Sequence, residues 1–160
     1  MIDLYLSLGS NLGDRRASLE TALERLDAAF KPARRTLSSI IETEAWGFDG
    51  EPFLNMAVRL SIPRTGQSPE APALDILKII KSIEKEMGRC ETIEYDDSGD
   101  RVYHSRPIDI DILFFGTHTM DLPELKIPHP LIPERDFVKV PLREIAGPTL
   151  KKSFSSLFIK

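Results

Sequence analysis

A short alternation of isoleucine with aspartate limits the possible folds of this chain more than any other feature. Between Pro107 and Phe115, residues 108, 110 and 112 are isoleucines, and Asp109 and Asp111 lie between them. A period of two is typical of a β-strand, because successive side chains of a strand point to opposite faces of the sheet. We therefore predict a strand over 107–115, ended by Gly116, with the isoleucines in the core.

Asp109 and Asp111 then lie on the same face of that strand. Residues two apart in a strand are roughly 7 Å apart, so the two carboxylates project side by side. Such a pair could bridge two Mg²⁺ ions, which lie about 4 Å apart in sites for phosphoryl chemistry. The alternative is a half-exposed strand with acidic residues on its wet face. Aspartate is depleted in strands and adjacent like charges repel, which favours the metal site.

The other periodic segments place this strand in an α+β fold. Apolar residues recur at three- and four-residue steps over 15–30 and 74–87, which predicts two helices, the second closed by Gly88. Three apolar runs are predicted strands, namely 2–8, 36–41 and 53–62. The order β-α-β-β-α-β is that of the ferredoxin-like core, in which helices cover one face of an antiparallel sheet.

The remaining segments are irregular in sequence. Residues 42–52 and 89–106 have no period and are predicted loops, the second of them long and acidic. Prolines recur after residue 116, where we predict a short helix near 133–137 followed by a further segment over 141–145. These additional C-terminal elements are expected to add a layer or an edge to the core.

The composition indicates one globular domain and excludes several functions. At 160 residues, 41% hydrophobic and 29% charged, the chain is predicted to form a single domain over 1–160. One cysteine and three scattered histidines offer no zinc-type cluster and permit a reducing compartment. Without a signal-peptide pattern or a long apolar run, we expect a cytoplasmic protein with no membrane partner. The net charge of −4 argues against nucleic-acid binding.

Several arginines could bind phosphate groups held at the aspartates. Arg89 follows the second predicted helix, Arg101 and Arg106 belong to the long loop, and Arg135 lies in the proline-rich part. A guanidinium group pairs with phosphate through two parallel hydrogen bonds, which suits it to this task. The alternative for each of them is a solvated surface arginine.

Four other positions carry candidate binding groups. Phe53 and Asn55 share one strand face, where an aromatic plane beside an amide suits a flat heterocycle. The alternative is a core phenylalanine and an asparagine at a strand edge. His129, between two prolines, is either a phosphate donor or a turn residue. Glu84 by itself indicates an exposed helix partner of Lys81 or another nearby lysine.

Common catalytic motifs are missing from the sequence. It contains no Gly-x-x-x-x-Gly-Lys-[Ser/Thr] loop, no Gly-x-Gly-x-x-Gly turn and no Gly-x-Ser-x-Gly elbow. The phosphate site is therefore not a P-loop, and covalent catalysis is not indicated.

Taken in order, five groups of residues resemble the 6-hydroxymethyl-7,8-dihydropterin pyrophosphokinase family over nearly the whole chain. They are Leu8-Gly9-Ser10-Asn11-Leu12-Gly13-Asp14, Phe53-Leu54-Asn55, Ile83-Glu84 with Gly88-Arg89, Arg106-Pro107-Ile108-Asp109-Ile110-Asp111, and Ile127-Pro128-His129-Pro130 with Arg135-x-Phe137-Val138. Their joint order and spacing are specific, although each is short.

The resemblance implies a reaction and a set of site residues. Pyrophosphate would pass from the co-substrate ATP to 6-hydroxymethyl-7,8-dihydropterin in folate biosynthesis, releasing AMP, with two Mg²⁺ ions on Asp109 and Asp111 and no covalent intermediate. By the same resemblance, the pterin site would comprise Thr43, Trp46, Phe53, Asn55 and Phe137. The ATP site would comprise Glu84, Arg89, Arg106, His129 and Arg135. Arg89 and Arg106 would also be catalytic, and the enzyme is expected to be a monomer.

Two other functions fit part of the pattern. A nucleotidyltransferase also pairs a Gly-Ser turn with an Asp-x-Asp strand, but places the two close in sequence, whereas Gly9 and Asp109 are far apart here. A ferredoxin-like regulatory module would bind a ligand without turnover. It leaves the paired aspartates and the arginines without a role.

Overall fold

A computed structural model of the chain describes residues 1–45, 50–66, 68–88, 94–102 and 107–158. Its strands are β1 (Ile2–Ser10), β2 (Arg34–Leu37), β3 (Ile41–Thr43), β4 (Phe53–Ile62), β5 (Glu94–Tyr95), β6 (Arg101–Val102), β7 (Asp109–Phe115), β8 (Met120–Asp121) and β9 (Lys126–Ile127). Its α-helices are α1 (Arg15–Phe30), α2 (Glu70–Glu86), α3 (Asp136–Ile145) and α4 (Pro148–Ser153), and two 3₁₀ turns span Ile132–Glu134 and Ser155–Phe158.

Five strands of the described ranges form the main sheet, and every pairing in it is antiparallel. The order is β2-β4-β1-β7, with β3 beside β4 as well. β1 is therefore central, flanked by β4 and β7. This order, with one helix after β1 and one after β4, confirms the predicted ferredoxin-like α+β core.

The two faces of the sheet bury different parts of the chain. Alternate residues of β1, β4 and β7, among them Leu6, Leu60 and Ile110, pack beneath α1 and α2, and we call this side the helical face. On the opposite side, Tyr5 and Phe114 pack against the C-terminal elements, including α3 and α4. The predicted C-terminal layer is thus confirmed. It covers only part of this second face, which we call the C-terminal face.

The strand predicted over 36–41 is wrong in its bounds, because the structure has two short strands there, β2 and β3. Ser38 interrupts the ladder: its hydroxyl accepts the N–H of Ala57 at 2.8 Å, and its own N–H binds the Ala57 carbonyl at 3.0 Å. Ser39 turns away to Glu144 of α3, with bonds of 2.9 and 2.7 Å. Serine side chains that bond nearby backbone groups compete with a regular ladder in this way.

The second helix begins earlier than the pattern predicts, at Glu70 instead of Leu74. Pro72 does not prevent this, because the first turn of a helix needs no backbone N–H donor. The predicted end is confirmed: Gly88 lies just past the helix with φ +92°, a conformation that glycine adopts readily.

Part of the loop predicted over 89–106 is a hairpin formed by β5 and β6. The carboxylate of Asp96 accepts the N–H groups of Ser98 and Asp100 at 2.9 and 3.0 Å. Gly99, with φ +84°, completes the turn. Aspartate commonly closes turns through such local bonds, and two-residue strands are too short to show a period.

The short helix predicted near 133–137 is also wrong in extent. A 3₁₀ turn at Ile132–Glu134 precedes α3, which continues through Pro141 to Ile145. Buried residues at 138, 141, 142 and 145 give α3 an apolar stripe toward the sheet. No helix within the described ranges is long and apolar enough to cross a lipid bilayer.

Replacing Ser38 by alanine should destabilise the fold by about 1–3 kcal/mol, because the N–H of buried Ala57 loses its acceptor. Urea unfolding of the purified protein measures the change. Ser39→Ala is the matched control, since its bond to Glu144 is exposed, and we expect less than about 1 kcal/mol. Equal losses in the two variants would contradict the role given to Ser38.

Candidate active site

Beside the part that packs against the C-terminal elements, the C-terminal face carries a row of positions with polar side chains or glycine across three strands. In the β1 ladders, Gly9 is opposite Asn55 of β4 on one side and Asp109 of β7 on the other. Neighbouring strands lie about 4.8 Å apart, so the Asn55 and Asp109 backbones are roughly 10 Å apart. Ser7 is opposite Asp111 in the next row.

Asp109 and Asp111 share this face, as predicted, and both are half-buried. Arg135 Nη1 lies 3.5 Å from Asp111 Oδ2, and His129 Nε2 lies 4.0 Å from Asp111 Oδ1. The aspartates are therefore not on a fully solvated face, and Arg135 offsets part of their mutual repulsion.

The surroundings of His129 determine which of its ring nitrogens faces the site. The His129 N–H binds the Leu113 carbonyl at 3.1 Å, and Nδ1 accepts the Leu131 N–H at 3.2 Å. Burial, with a smaller effect of the Arg135 charge, lowers the pKa of His129 to about 4, against an opposing effect of Asp109. The ring is thus neutral at pH 7, with Nδ1 as acceptor and Nε2 as the N–H donor toward Asp111. The turn role is confirmed, and Nε2 retains a donor for a ligand.

Arg135 and Phe137 form a cationic and aromatic wall at the start of α3. The Arg135 guanidinium lies 5.6 Å from the centroid of the Phe137 ring, within the range of a cation–π contact. Phe137 packs partly against the core of the C-terminal face. α3 also contacts β3 and β4, so its first turn lies on the side of the sheet that carries the polar row.

Phe53, Asn55 and Thr43 form the other end of the site. Thr43 is directly opposite Phe53 in the β3–β4 ladder, and Asn55 Nδ2 donates to Thr43 Oγ1 at 2.7 Å. Asn55 is only 3% exposed and belongs to a strand that is paired on both sides. The alternative of an asparagine at a strand edge is therefore wrong. Phe53 is half-buried, which leaves part of its ring accessible.

Glu84 is fully buried, so its predicted exposure is wrong, whereas Lys81 is confirmed as its helix partner. Its Oε2 accepts the N–H of Ile110 at 2.9 Å, and Oε1 lies 3.6 Å from Lys81 Nζ. A buried carboxylate needs such donors, because its desolvation is otherwise costly. This bond attaches the end of α2 to the edge of β7 that faces away from β1, which we call the outer edge of β7.

A cleft of about 270 Å³ lies beside Asp111 along the same outer edge. No other strand pairs with this edge of β7 within the described ranges. Strand N–H groups alternate between the two edges, so the Ile112 N–H points the same way as that of Ile110. The walls of the cleft include Leu77, Lys81, Ile112, Pro123, Lys126 and His129.

The described part of the chain contains no group of three or more His, Cys, Asp or Glu residues that could hold a metal. The two aspartates suit Mg²⁺ nevertheless, because this ion is commonly bound by one or two carboxylates together with water and substrate phosphates. Trp46, Arg89 and Arg106, which the sequence assigns to the site, lie outside the described residues.

The structure adds contacts that the sequence did not indicate. Asn11 Nδ2 binds the Glu51 carbonyl at 3.0 Å, and Arg15 Nη1 binds the Pro52 carbonyl at 2.9 Å and the Glu42 carboxylate at 2.8 Å. The turn after β1 thus holds the ends of the segment between β3 and β4. In the sequence, the motif around Gly9 drew attention to the turn after β1, but it did not predict the partners of Asn11 and Arg15.

Paired carboxylates that suit Mg²⁺, with an arginine beside them, are typical of enzymes that transfer phosphate groups. The sequence matches the family model of 7,8-dihydro-6-hydroxymethylpterin-pyrophosphokinase (HPPK) over residues 5–147. The chain belongs to this family, and it is an ATP-dependent diphosphokinase.

Named relatives agree with the family. The chain is 46% identical over 148 residues to the 2-amino-4-hydroxy-6-hydroxymethyldihydropteridine pyrophosphokinase of Porphyromonas gingivalis, covering 91% of this chain and 92% of that protein. It is 36% identical to the protein of the same name from Aquifex aeolicus over 146 residues, covering 91% and 81%.

A solved structure supports the fold independently. An HPPK-DHPS protein crystallised in complex with substrates superposes with a TM-score of 0.60 at 16% identity. The match covers 97% of this chain and 43% of that longer chain. At this identity the likeness concerns the fold alone.

Asp109→Ala and Asp111→Ala should each reduce kcat by at least about 10³-fold while the protein stays folded. Each change removes a carboxylate that suits Mg²⁺, and it also removes one of two repelling charges. Turnover with MgATP and thermal unfolding measure the two effects. Asp75→Ala, at an exposed position of α2, should leave both unchanged. Unfolding of the first two variants would instead indicate a structural role.

Proposed function

We propose that this chain transfers pyrophosphate from ATP to 6-hydroxymethyl-7,8-dihydropterin in folate biosynthesis, giving the pterin diphosphate and AMP. The observation that carries the proposal is the row Asn55–Gly9–Asp109, which lies across three adjacent strands. It brings an amide beside an aromatic ring within roughly 10 Å of paired carboxylates. The family and the names of the relatives agree with these substrates.

The pterin ring would bind between Phe53 and Phe137. Both aromatic side chains are half-buried on the side of the sheet that carries the polar row. Asn55 would read the ring edge by hydrogen bonds, since its Nδ2 is already oriented by Thr43. Trp46, outside the described residues, would line the same pocket by family resemblance. A flat heterocycle bound in this way leaves its substituent free to reach Asp109.

ATP would bind in the cleft beside the outer edge of β7. The Ile112 backbone faces this cleft and offers the donor and acceptor pattern that a nucleotide base requires. Lys126, which is also paired with Asp121, contributes an ammonium group to the walls, and His129 contributes a neutral N–H donor. Glu84 would act at this site through its bond to Ile110. The triphosphate would then extend toward Asp111, which lines the same cleft.

Asp109 and Asp111 would hold two Mg²⁺ ions, which when bound neutralise phosphate oxygens and align the attacking and leaving groups. The pterin hydroxymethyl oxygen would form a bond to the β-phosphorus, the bond from that phosphorus to the α–β bridging oxygen would break, and AMP would leave. The hydroxyl proton is released. Arg135 and the Nε2 donor of His129 would orient the phosphates. Arg89 and Arg106, outside the described residues, would stabilise developing charge by family resemblance.

A single incubation tests the reaction. Purified protein receives MgATP and 6-hydroxymethyl-7,8-dihydropterin, and the nucleotides are separated by chromatography. We expect AMP and pterin diphosphate in equal amounts, with neither formed when the pterin is omitted. ADP as product would indicate an ordinary kinase, and free pyrophosphate would indicate a nucleotidyltransferase. Tight MgATP binding without turnover would indicate a binding module.

Lys126→Glu should weaken the binding of α,β-methylene-ATP by about tenfold, because it puts a negative charge in the wall of the proposed nucleotide cleft. Titration calorimetry compares the variant with the wild type, and the affinity for the pterin should stay within about twofold. Lys151→Glu in α4, away from the cleft, is the matched control. Equal losses in the two variants would mean that Lys126 acts only through overall charge.

We further propose that residues 1–160 form one catalytic domain that acts as a monomer in the cytoplasm. The single main sheet with a core on each face supports the first part. Sedimentation equilibrium of the purified chain tests the second, with 18.0 kDa as the expected mass.

A further inference from the structure

Gly9 is placed where three elements of the site meet. It is opposite both Asn55 and Asp109 in the sheet, on the row that joins the proposed pterin pocket to the aspartates. A Cβ added at Gly9 would lie 3.0 Å from Asn55 Oδ1 and 3.3 Å from Phe53 Cδ1. Both distances are shorter than ordinary contacts of a Cβ atom, so these side chains would have to move.

The backbone provides no reason for glycine at this position. Gly9 is not among the glycines with positive φ, and it lies inside a long strand. Glycine in a strand interior is less stable than alanine, because it loses more conformational freedom on folding. Glycine is therefore required for lack of space, because the Asn55 and Phe53 side chains lie in front of its Cα.

We propose that Gly9 is a positioning and specificity-determining residue, whose missing side chain lets Asn55 and Phe53 pack against β1 in the positions from which they hold the pterin. This inference rests on the proposed function. The ring held at Phe53 and Asn55 must place its hydroxymethyl oxygen near Asp109, one strand further than β1. A side chain at position 9 would push Asn55 and Phe53 away from β1 and so shift the ring relative to Asp109.

The neighbours of Gly9 have little room to give way. Asn55 is 3% exposed, and its amide is bound to Thr43 Oγ1 at 2.7 Å. Displacing Asn55 would distort that bond, and displacing Phe53 would tilt the ring proposed to stack on the pterin. The nucleotide cleft lies along the far edge of β7, on the other side of Asp109 and Asp111. A methyl group at position 9 should therefore affect pterin binding and leave nucleotide binding intact.

Gly9→Ala tests this separation of the two sites. Titration calorimetry with 6-hydroxymethyl-7,8-dihydropterin, in the presence of α,β-methylene-ATP and Mg²⁺, should show a pterin Kd raised by about 10- to 100-fold. The Kd of α,β-methylene-ATP alone should stay within about twofold. The larger Gly9→Val should weaken pterin binding further. In turnover, KM for the pterin should rise more than kcat falls.

Gly147→Ala is the matched control. A Cβ there would lie 2.9 Å from Arg59 Nη1, a distance like that at Gly9, but the guanidinium is the end of a flexible side chain and Gly147 lies against the opposite end of the sheet. We expect an unchanged pterin Kd. Three results would overturn the inference. An unchanged pterin Kd in Gly9→Ala would do so while leaving the proposed function intact. Parallel loss of pterin and nucleotide affinity with a lowered Tm would show a structural role, and a wild-type protein that binds no pterin would overturn both proposals.

Discussion

The central position of β1 is the constraint on which the site depends. Its pairing with β4 and β7 fixes which residues stand side by side across the sheet, and side chains alternate between faces, so a shift of one residue in either ladder would reverse the two faces. Leu6 and Leu8 are fully buried on the helical face. Exposing either would lose roughly 1.5–3 kcal/mol. The apolar residues beneath the helices therefore hold the register of the polar residues opposite them.

The long elements of this fold were predictable because each repeats its period several times, as in β4, α1 and β7. The short ones were not. Ser38 divides the second predicted strand through bonds to Ala57, far along the chain, and no local pattern encodes that partner. Asp96 closes a hairpin in a segment whose strands have two residues each. In both segments a side chain binds backbone N–H groups and so determines where the strands end or turn. The spacing of apolar residues does not predict such bonds.

The aspartate pair of the site was equally predictable, since two residues in one strand specify their shared face. The relation of Asp109 to Asn55 was not, because it requires the strand order. The burial of Glu84 depends on its contact with Ile110, 26 residues away. Arg135 and His129 were already candidates from their residue types, but their convergence on Asp111 depends on how the C-terminal segment folds back. The spacing of these residues along the chain does not predict that they meet at Asp111.

The outer edge of β7 shows how these constraints combine. An edge strand has unpaired backbone groups that invite further pairing, and a buried carboxylate requires donors. The Ile110 N–H donates to Glu84, so one bond gives the edge amide an acceptor and the buried carboxylate a donor. The next N–H on the same edge belongs to Ile112, which lines the cleft. Because Glu84 belongs to α2, the helix that covers the core also limits how much of the edge is closed. Within the described ranges, the edge beside Asp111 thus has no strand partner, and a helix residue satisfies the position before it.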